Sequence, residues 1–262
     1  MTQTAQRITG LPGLISFWDF AEAPGSPRIA RGRHAYALKE GQGPVGRSEG
    51  GIFGPHSAEL KRGDYFVIPR AECPGLHLTG SLSLVAWIKR HRKPEVQCEA
   101  IAGCWNETRK QRQYALFLDL RIHHSGDNVS GHVSRTGGPT PGFPWCMDAA
   151  IGRSYVDYWS WHCVAMTYDG TLARVYLDGA LDARPGFNPY AYPGPLHDGK
   201  AEGADFSVGT VHRGGEMGNW FVGCLGGLAV FDRALADDEL AGMAALIPGG
   251  PRAPLTVPPQ FL

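Results

Sequence analysis

The amino-acid sequence predicts a single all-β domain with one short C-terminal helix. Strand-like runs recur along the chain with turn residues between them. The 262 residues include 36 Gly and 20 Pro spread through the chain, which suits many short strands joined by turns. Only residues 236–246 have a helical pattern, with acidic residues first and then Leu240, Met243 and Leu246 near helical spacing. Many strands with one helix indicate a sandwich or a barrel.

The predicted strands are runs rich in apolar, β-branched and aromatic residues between turn signals. They cover residues 14–20, 65–69, 82–90, 100–105, 113–120, 129–134, 161–168, 173–177, 206–212 and 221–231. Asp169-Gly170 separates two of these runs and predicts a tight hairpin, because glycine accepts the positive φ that such turns need. Asp178-Gly179 predicts a second turn of the same chemistry.

Charge and hydropathy exclude several classes of partner. The 25 basic and 25 acidic side chains give a net charge of zero, so no basic stripe for nucleic acid is expected, and a local basic cluster that holds a polyanion stays open as an alternative. No apolar run approaches the roughly 20 residues that span a bilayer, so no membrane segment is expected. The first residues lack the apolar stretch of a secretory signal, and we therefore expect a cytoplasmic protein unless the chain is a mature form.

The cysteines do not form a metal-binding pattern. The six cysteines include no C-x-x-C pair and no Cys/His cluster with zinc spacing, so no metal and no cofactor is predicted. A chain of this size does not need disulfides to be stable. We expect reduced structural cysteines, and a disulfide framework is the alternative.

Three segments resemble the laminin-G-like domains of the concanavalin A-like lectin/glucanase superfamily. The first is the run L-V-A-W-I-K at 84–89. The second is W-H-C-V-A-M-T-Y-D-G at 161–170, followed by R-V-Y-L-D-G at 174–179. The third is the run V-F-D-R-A-L at 230–235, and F-W-D-F at 17–20 is similar to the opening strand of that family.

The resemblance implies a two-sheet antiparallel jelly-roll β-sandwich. On this basis residues 12–247 form the jelly-roll domain, residues 1–11 an N-terminal extension and residues 248–262 a proline-rich tail. Function does not follow from the fold, because the superfamily includes lectins, carbohydrate-binding modules, glycoside hydrolases, polysaccharide lyases and adhesion domains.

Three segments rich in polar and aromatic residues exceed what the strands and turns of such a domain need. They cover residues 105–114, 132–145 and 212–220. Strand alternation places Val129 and Val133 towards the core and His132 on the outer surface of the sheet. In sugar-binding jelly rolls, as the resemblance implies, one outer face is concave and lined by such residues. We therefore expect a groove that binds a glycan, lined by Trp105, Tyr114, His132, Arg135, Trp145, His212, Arg213 and Trp220.

A carbohydrate-active enzyme is the alternative to simple recognition. In a lyase acting on a uronic acid or keto-sugar, His132 and Tyr114 would move the proton and Arg135 would stabilise the enolate. A glycoside hydrolase would need paired carboxylates. The unexplained charged residues that would contact substrate are Glu107, Arg109, Arg213 and Glu216.

Two further possibilities have less support in the sequence. An adhesion domain would expose a large apolar patch in place of a groove. Asp127-Asn128 resembles the start of a calcium loop, but the hard oxygen ligands nearby are too few to predict a site.

Overall fold

The computed structural model describes residues 2–23 and 25–250. Within these residues the chain folds into two stacked, almost entirely antiparallel sheets, which confirms the predicted jelly-roll-like sandwich. The predicted tail is outside the described residues from position 251 onward. Within the part that the structure describes, no helix is long and apolar enough to cross a membrane.

Sheet I contains the strands that carry the motifs at 84–89, 161–179 and 230–235. In spatial order its strands are β14 (Ala180–Leu181), β13 (Leu172–Leu177), β12 (Trp161–Tyr168), β7 (Leu82–Arg90), β19 (Gly223–Phe231), β5 (His56–Leu60) and β4 (Gly46–Glu49), while β1 (Leu14–Trp18) pairs with β19 and β15 (Tyr190–Ala191) pairs with β13.

Sheet II and the loops next to its strands carry the three polar and aromatic segments. In spatial order its strands are β11 (Ala149–Ile151), β10 (Val129–Val133), β9 (Gln111–Leu118), β8 (Glu99–Asn106), β16 (Phe206–Val208), β6 (Phe66–Ile68), β3 (Ala37–Glu40) and β2 (Arg28–Ile29). The third segment forms a hairpin of β17 (Val211–Arg213) and β18 (Glu216–Gly218), which joins the end of β8 where His212 pairs with Asn106.

The space between the two sheets holds the main hydrophobic core. Leu84 and Met166 from sheet I are in the same buried cluster as Leu116 and Val129 from sheet II. Because side chains alternate along a strand, every second residue of these strands enters this core and the others emerge on an outer face. Each outer face therefore carries a second set of side chains, and its apolar members must be buried by other parts of the chain.

Two short helices cover the outer face of sheet I. The helix α2 (Asp237–Ala244) confirms the predicted C-terminal helix, whereas α1 (Gln3–Thr9) contradicts the expectation of a single helix. Ala5 and Ile8 of α1 are buried in one cluster with Trp87 and Met243, and the Trp87 indole donates a hydrogen bond to the Met243 carbonyl at 3.1 Å. Helix α1 is needed because the outer face of sheet I is apolar.

The most specific sequence motif has a structural explanation. His162 is held between two carboxylates, with Nδ1 at 2.8 Å from Asp178 Oδ2 and Nε2 at 2.8 Å from Asp157 Oδ1. The other oxygen of Asp178 accepts the backbone N–H of Cys163 at 2.9 Å. The W-H and L-D-G parts of the motif thus fasten the ends of β12 and β13 to each other.

Two details of the predicted elements need comment. The expected strand 206–212 is two strands, because Gly209 adopts a φ of +83° and turns the chain between β16 and β17. All six cysteines are free in the structure, and five of them are buried. Burial of this kind is typical of structural cysteines, and the reduced state of the thiols stays a prediction.

Candidate functional site

The outer face of sheet II carries a pocket of about 210 Å³. Strands β8, β9 and β10 form its floor, and the loop after β9, the loop before β11 and the β17–β18 hairpin form its walls. This volume is below the roughly 300–1,000 Å³ of sites for drug-sized ligands, so it suits a smaller group. The lining residues are Cys98, Trp105, Glu107, Phe117, Leu120, Arg121, Ile122, His132, Trp145, Cys146, Arg213 and Asn219.

The floor of the pocket is aromatic. The rings of Trp105 and His132 stack with centroids 4.7 Å apart, and Phe117 meets the His132 ring edge to face at 5.4 Å. These three residues come from β8, β10 and β9, whose alternation directs them to the same outer face. At the rim, Trp145 is 56% exposed, one of the most exposed large apolar side chains among the described residues.

His132 is a neutral side chain at this position. Its Nδ1 is 3.0 Å from the carbonyl oxygen of Asp148, and since a carbonyl can only accept, Nδ1 carries the proton. Burial lowers the pKa of His132 to about 4. The charge of Arg112 also lowers this pKa, whereas the hydrogen bond to the Asp148 carbonyl raises it. Near neutral pH the ring therefore offers Nε2 as a hydrogen-bond acceptor and is a weak base.

Three polar groups of the pocket come from the end of β8 and from the β17–β18 hairpin. Glu107 Oε1 accepts a hydrogen bond from the Trp105 indole at 3.3 Å, and its Oε2 is 3.8 Å from Arg112 Nη2. Arg213 Nη1 donates to Asn219 Oδ1 at 2.6 Å. The pocket thus combines an apolar floor with oriented donors and acceptors, which is the usual composition of a small-molecule site.

One wall of the pocket has an unusual backbone. In the loop 119–124, the non-glycine residues Asp119, Arg121, His123 and His124 have φ values of 52°, 60°, 50° and 55°. Left-handed conformations at non-glycine residues cost on the order of 1–3 kcal/mol each, and such residues are concentrated at binding and active sites. The loop is held in place by the Asp119–Arg121 pair, whose atoms lie 3.0 and 2.8 Å apart.

Five of the side chains predicted from the sequence converge on this pocket. They are Trp105, Glu107, His132, Trp145 and Arg213. His212 faces a neighbouring pocket of about 200 Å³ that shares Trp105 as a wall. Alternation explains this separation, because successive residues of β17 point to opposite sides.

Tyr114 is not part of the groove, contrary to the prediction. It is fully buried between the sheets, and its hydroxyl donates to the Leu76 carbonyl at 2.7 Å. Burial raises the pKa of Tyr114 well above its usual range. Tyr114 and Phe117 are on the same strand but are an odd number of residues apart, so they face opposite sides of the sheet.

Arg135 is also separate from the pocket. Arg135 follows the end of β10. Its side chain lies over the Tyr192 ring at 4.6 Å and donates a hydrogen bond to the Pro193 carbonyl at 2.6 Å, so it is held against the loop after β15. The expected lyase set of His132, Tyr114 and Arg135 therefore does not come together.

Three other predicted side chains lie outside the pocket lining. Arg109 and Glu216 are solvent-exposed at hairpin ends. Trp220 is half-buried, with its ring 6.0 Å from that of Tyr65. These charged and aromatic residues fit the ordinary structural roles of a turn and of a core edge.

The possible calcium loop is occupied by protein groups. Asp127 Oδ1 lies 2.5 Å from Arg90 Nη1 and accepts a hydrogen bond from the Tyr158 hydroxyl at 3.0 Å. The amide nitrogen of Asn128 donates to the carbonyls of Arg153 and Ser154. Over residues 2–23 and 25–250, no group of three His, Cys, Asp or Glu side chains could hold a metal ion.

The sequence reasoning missed several lining residues. Phe117 lies on the same face of β9 as Ala115, which pairs with His132, but the sequence does not indicate this face, because residues on both faces of β9 are apolar. Asn219 has a φ of 55° and is buried at the end of β18, and no periodic pattern indicates such a residue. Arg121 and Ile122 belong to the loop after β9, whose path depends on tertiary contacts.

Comparison with known proteins places the fold. A family model described as the concanavalin A-like lectin/glucanases superfamily matches residues 60–241. No curated protein sequence is significantly similar to this chain. Domain 4 of AbnA, a GH43 extracellular arabinanase from Geobacillus stearothermophilus solved with arabinotriose, is 16% identical with a TM-score of 0.55, over 88% of this chain and 98% of that one.

Two other solved structures share the fold at similarly low sequence identity. Trypanosoma rangeli sialidase in complex with sialic acid is 14% identical with a TM-score of 0.59, over 94% of this chain and 37% of the sialidase. The ligand-binding domain of botulinum neurotoxin serotype D in complex with N-acetylneuraminic acid is 11% identical with a TM-score of 0.55, over 93% of this chain and 52% of that one. At these identities the likeness concerns the fold, and the family model covers more than half of the sequence: the chain belongs to the concanavalin A-like lectin/glucanases superfamily.

Proposed function

We propose that the protein recognises a carbohydrate by holding one sugar ring in the pocket on the outer face of sheet II. The observation that carries this proposal is the aromatic floor of Trp105, His132 and Phe117, with Trp145 exposed at the rim. The apolar face of a sugar ring stacks on aromatic side chains, while its hydroxyl groups need hydrogen-bond partners at the edge.

The polar groups match those needs. Glu107 and the Nε2 of neutral His132 accept hydrogen bonds, while Arg213 and the amide of Asn219 donate them. The structural neighbours support a sugar ligand, since the arabinanase domain was solved with arabinotriose and the toxin domain with N-acetylneuraminic acid.

Recognition has more support than catalysis. The lyase alternative loses its residues, because Tyr114 is in the core, Arg135 lies elsewhere and a histidine with a pKa of about 4 is a weak base. A glycoside hydrolase needs two carboxyl groups across the bond. Glu107 is the one carboxylate among the residues that line this pocket in the described part of the chain.

The test compares two tryptophans of similar exposure. The glycans that bind the wild-type protein are identified on an array, and their affinity is then measured by isothermal titration calorimetry. Trp145→Ala should weaken binding by about 2- to 12-fold, the loss of one stacking contact of ~0.5–1.5 kcal/mol. The matched control is Trp159→Ala, because Trp159 is 61% exposed and stacks on His91, outside the pocket lining.

Two results would contradict the proposal. One is an equal loss of glycan affinity in Trp145→Ala and Trp159→Ala, because the glycan would then not bind in the pocket. The other is a change in the mass of any bound glycan after incubation with the protein, which would indicate catalysis in place of recognition alone.

A further inference from the structure

The charges of the pocket are unequally compensated. Glu107 is satisfied within the protein by the Trp105 indole and by Arg112, and Arg121 is paired with Asp119 through two hydrogen bonds. The Arg213 guanidinium donates a hydrogen bond to the neutral amide of Asn219 at 2.6 Å. Among the residues that the structure describes, Arg213 is thus the pocket guanidinium without a carboxylate partner.

Arg213 is also held in a fixed orientation. Asn219, which accepts its hydrogen bond, is 2% exposed, so Arg213 is anchored to a buried acceptor. The nearest acidic residue by register is Glu216, which is opposite Arg213 in the β17–β18 hairpin. Glu216 is exposed and forms no ion pair with Arg213 in the described structure, so it leaves the guanidinium available.

We propose that the pocket selects a sugar bearing a carboxylate, which Arg213 binds through charge-assisted hydrogen bonds. This inference rests on the proposed function and narrows it from carbohydrates to acidic ones. A guanidinium is planar and presents parallel N–H donors that match the two oxygens of a carboxylate. With Nη1 committed to Asn219, the Nε and Nη2 edge remains for the ligand.

The rest of the sugar would occupy the apolar part of the pocket. With the carboxylate at Arg213, the ring lies over Trp105 and His132, and Trp145 closes the rim. Half-burial of Arg213 strengthens its attraction for an anion, because the local dielectric is lower than in water. The carboxylate of the ligand supplies the ion-pair partner that Arg213 does not have within residues 2–23 and 25–250.

The experiment uses pairs of ligands that differ only in charge. Methyl glucuronoside and the methyl glycoside of N-acetylneuraminic acid are each titrated against the full chain beside their own methyl esters. The two pairs distinguish a uronate from a sialate as the source of the carboxylate. For at least one pair, the acid should bind more tightly than its ester by about 10- to 150-fold, the value of a hydrogen bond to a charged group.

A matched pair of variants tests the assignment to Arg213. Arg213→Gln should abolish the preference for the acid, so that each acid and its own ester bind this variant with affinities within about 2-fold of each other. Arg153→Gln removes the same charge from an exposed position in the loop after β11 and should keep the preference. Circular dichroism of both variants verifies that they fold.

The outcomes separate this inference from the proposed function. Equal affinity for acids and esters in both pairs would overturn the carboxylate preference and leave sugar recognition intact. Equal loss of preference in both arginine variants would also overturn it, because general attraction would then explain the effect. Binding of neither acids nor esters, with no other glycan bound on the array, would overturn both proposals.

Discussion

Replacing Arg90 should lower the free energy of unfolding more than breaking any exposed ion pair of this protein. Arg90 is at the end of β7 in sheet I and Glu99 is at the start of β8 in sheet II, so their ion pair joins the two sheets. Both side chains are 1% exposed, and two hydrogen bonds of 2.9 and 3.0 Å connect them. Asp127 is bound to the same guanidinium.

The charge of Arg90 is retained despite its burial. Burial alone would lower the pKa of Arg90, but the hydrogen bonds and charges of Glu99 and the charge of Asp127 raise it above its ordinary value. Arg90→Met leaves buried Glu99 with only the Lys93 ammonium, 3.7 Å away and without a hydrogen bond, and removes the arginine that is bound to Asp127. Removing one partner of a buried pair costs about 3–5 kcal/mol, because the remaining charge is desolvated and unpaired.

The assay is denaturation by urea, monitored by tryptophan fluorescence, with the free energy of unfolding extrapolated to zero denaturant. Arg174→Met is the matched control, because Arg174 forms a 2.7 Å pair with Asp169 at the surface and should lose less than ~1 kcal/mol. The double variant Arg90→Met/Glu99→Leu should recover part of the loss, since no buried carboxylate remains at 99. A loss for Arg90→Met no larger than that of the control would refute the reasoning.

Two further predictions concern single side chains. His162 between Asp178 and Asp157 has its pKa raised by these carboxylates against the opposing effect of burial. The stability that His162 adds over a His162→Gln variant should therefore be full below its ordinary pKa of about 6.5 and decline as pH rises through the raised value, and equal differences in unfolding free energy at pH 5.5 and pH 9 would contradict this. Tyr114→Phe should leave glycan affinity unchanged and cost about 0.5–1.5 kcal/mol of stability, from loss of the bond to Leu76, whereas a large loss of affinity would return Tyr114 to the site.

The parts of the fold that the sequence predicts well are its central strands. The run 82–90 coincides with β7 and the run 161–168 with β12, because continuous apolar residues between clear turn signals define a buried strand. The short strands β2 to β4, which lie at or next to the sheet edges, were not predicted, since they have two to four residues each and few buried apolar side chains. Helix α1 was missed because it has seven residues and buries only Ala5 and Ile8.

The candidate site was predicted in part for related reasons. Alternation in β10 correctly placed His132 on the outer face, because Val129 and Val133 identify the inner one. In β9 alternation gives no such signal, since Tyr114, Ala115, Leu116 and Phe117 are all buried and both faces are apolar. Residues beyond strand ends, such as Arg135, depend on the path of loops, which tertiary contacts determine.

The left-handed backbone of the loop 119–124 lowers the stability of the protein but keeps one wall of the pocket rigid. Glycine adopts these φ values without steric cost, so replacing the exposed His124 by glycine would relieve local strain. The same glycine would loosen the wall that carries Arg121 and Ile122, and a looser wall loses more conformational entropy when a ligand enters. Selection for a more heat-resistant protein and selection for a more discriminating one would therefore favour different residues along this short stretch.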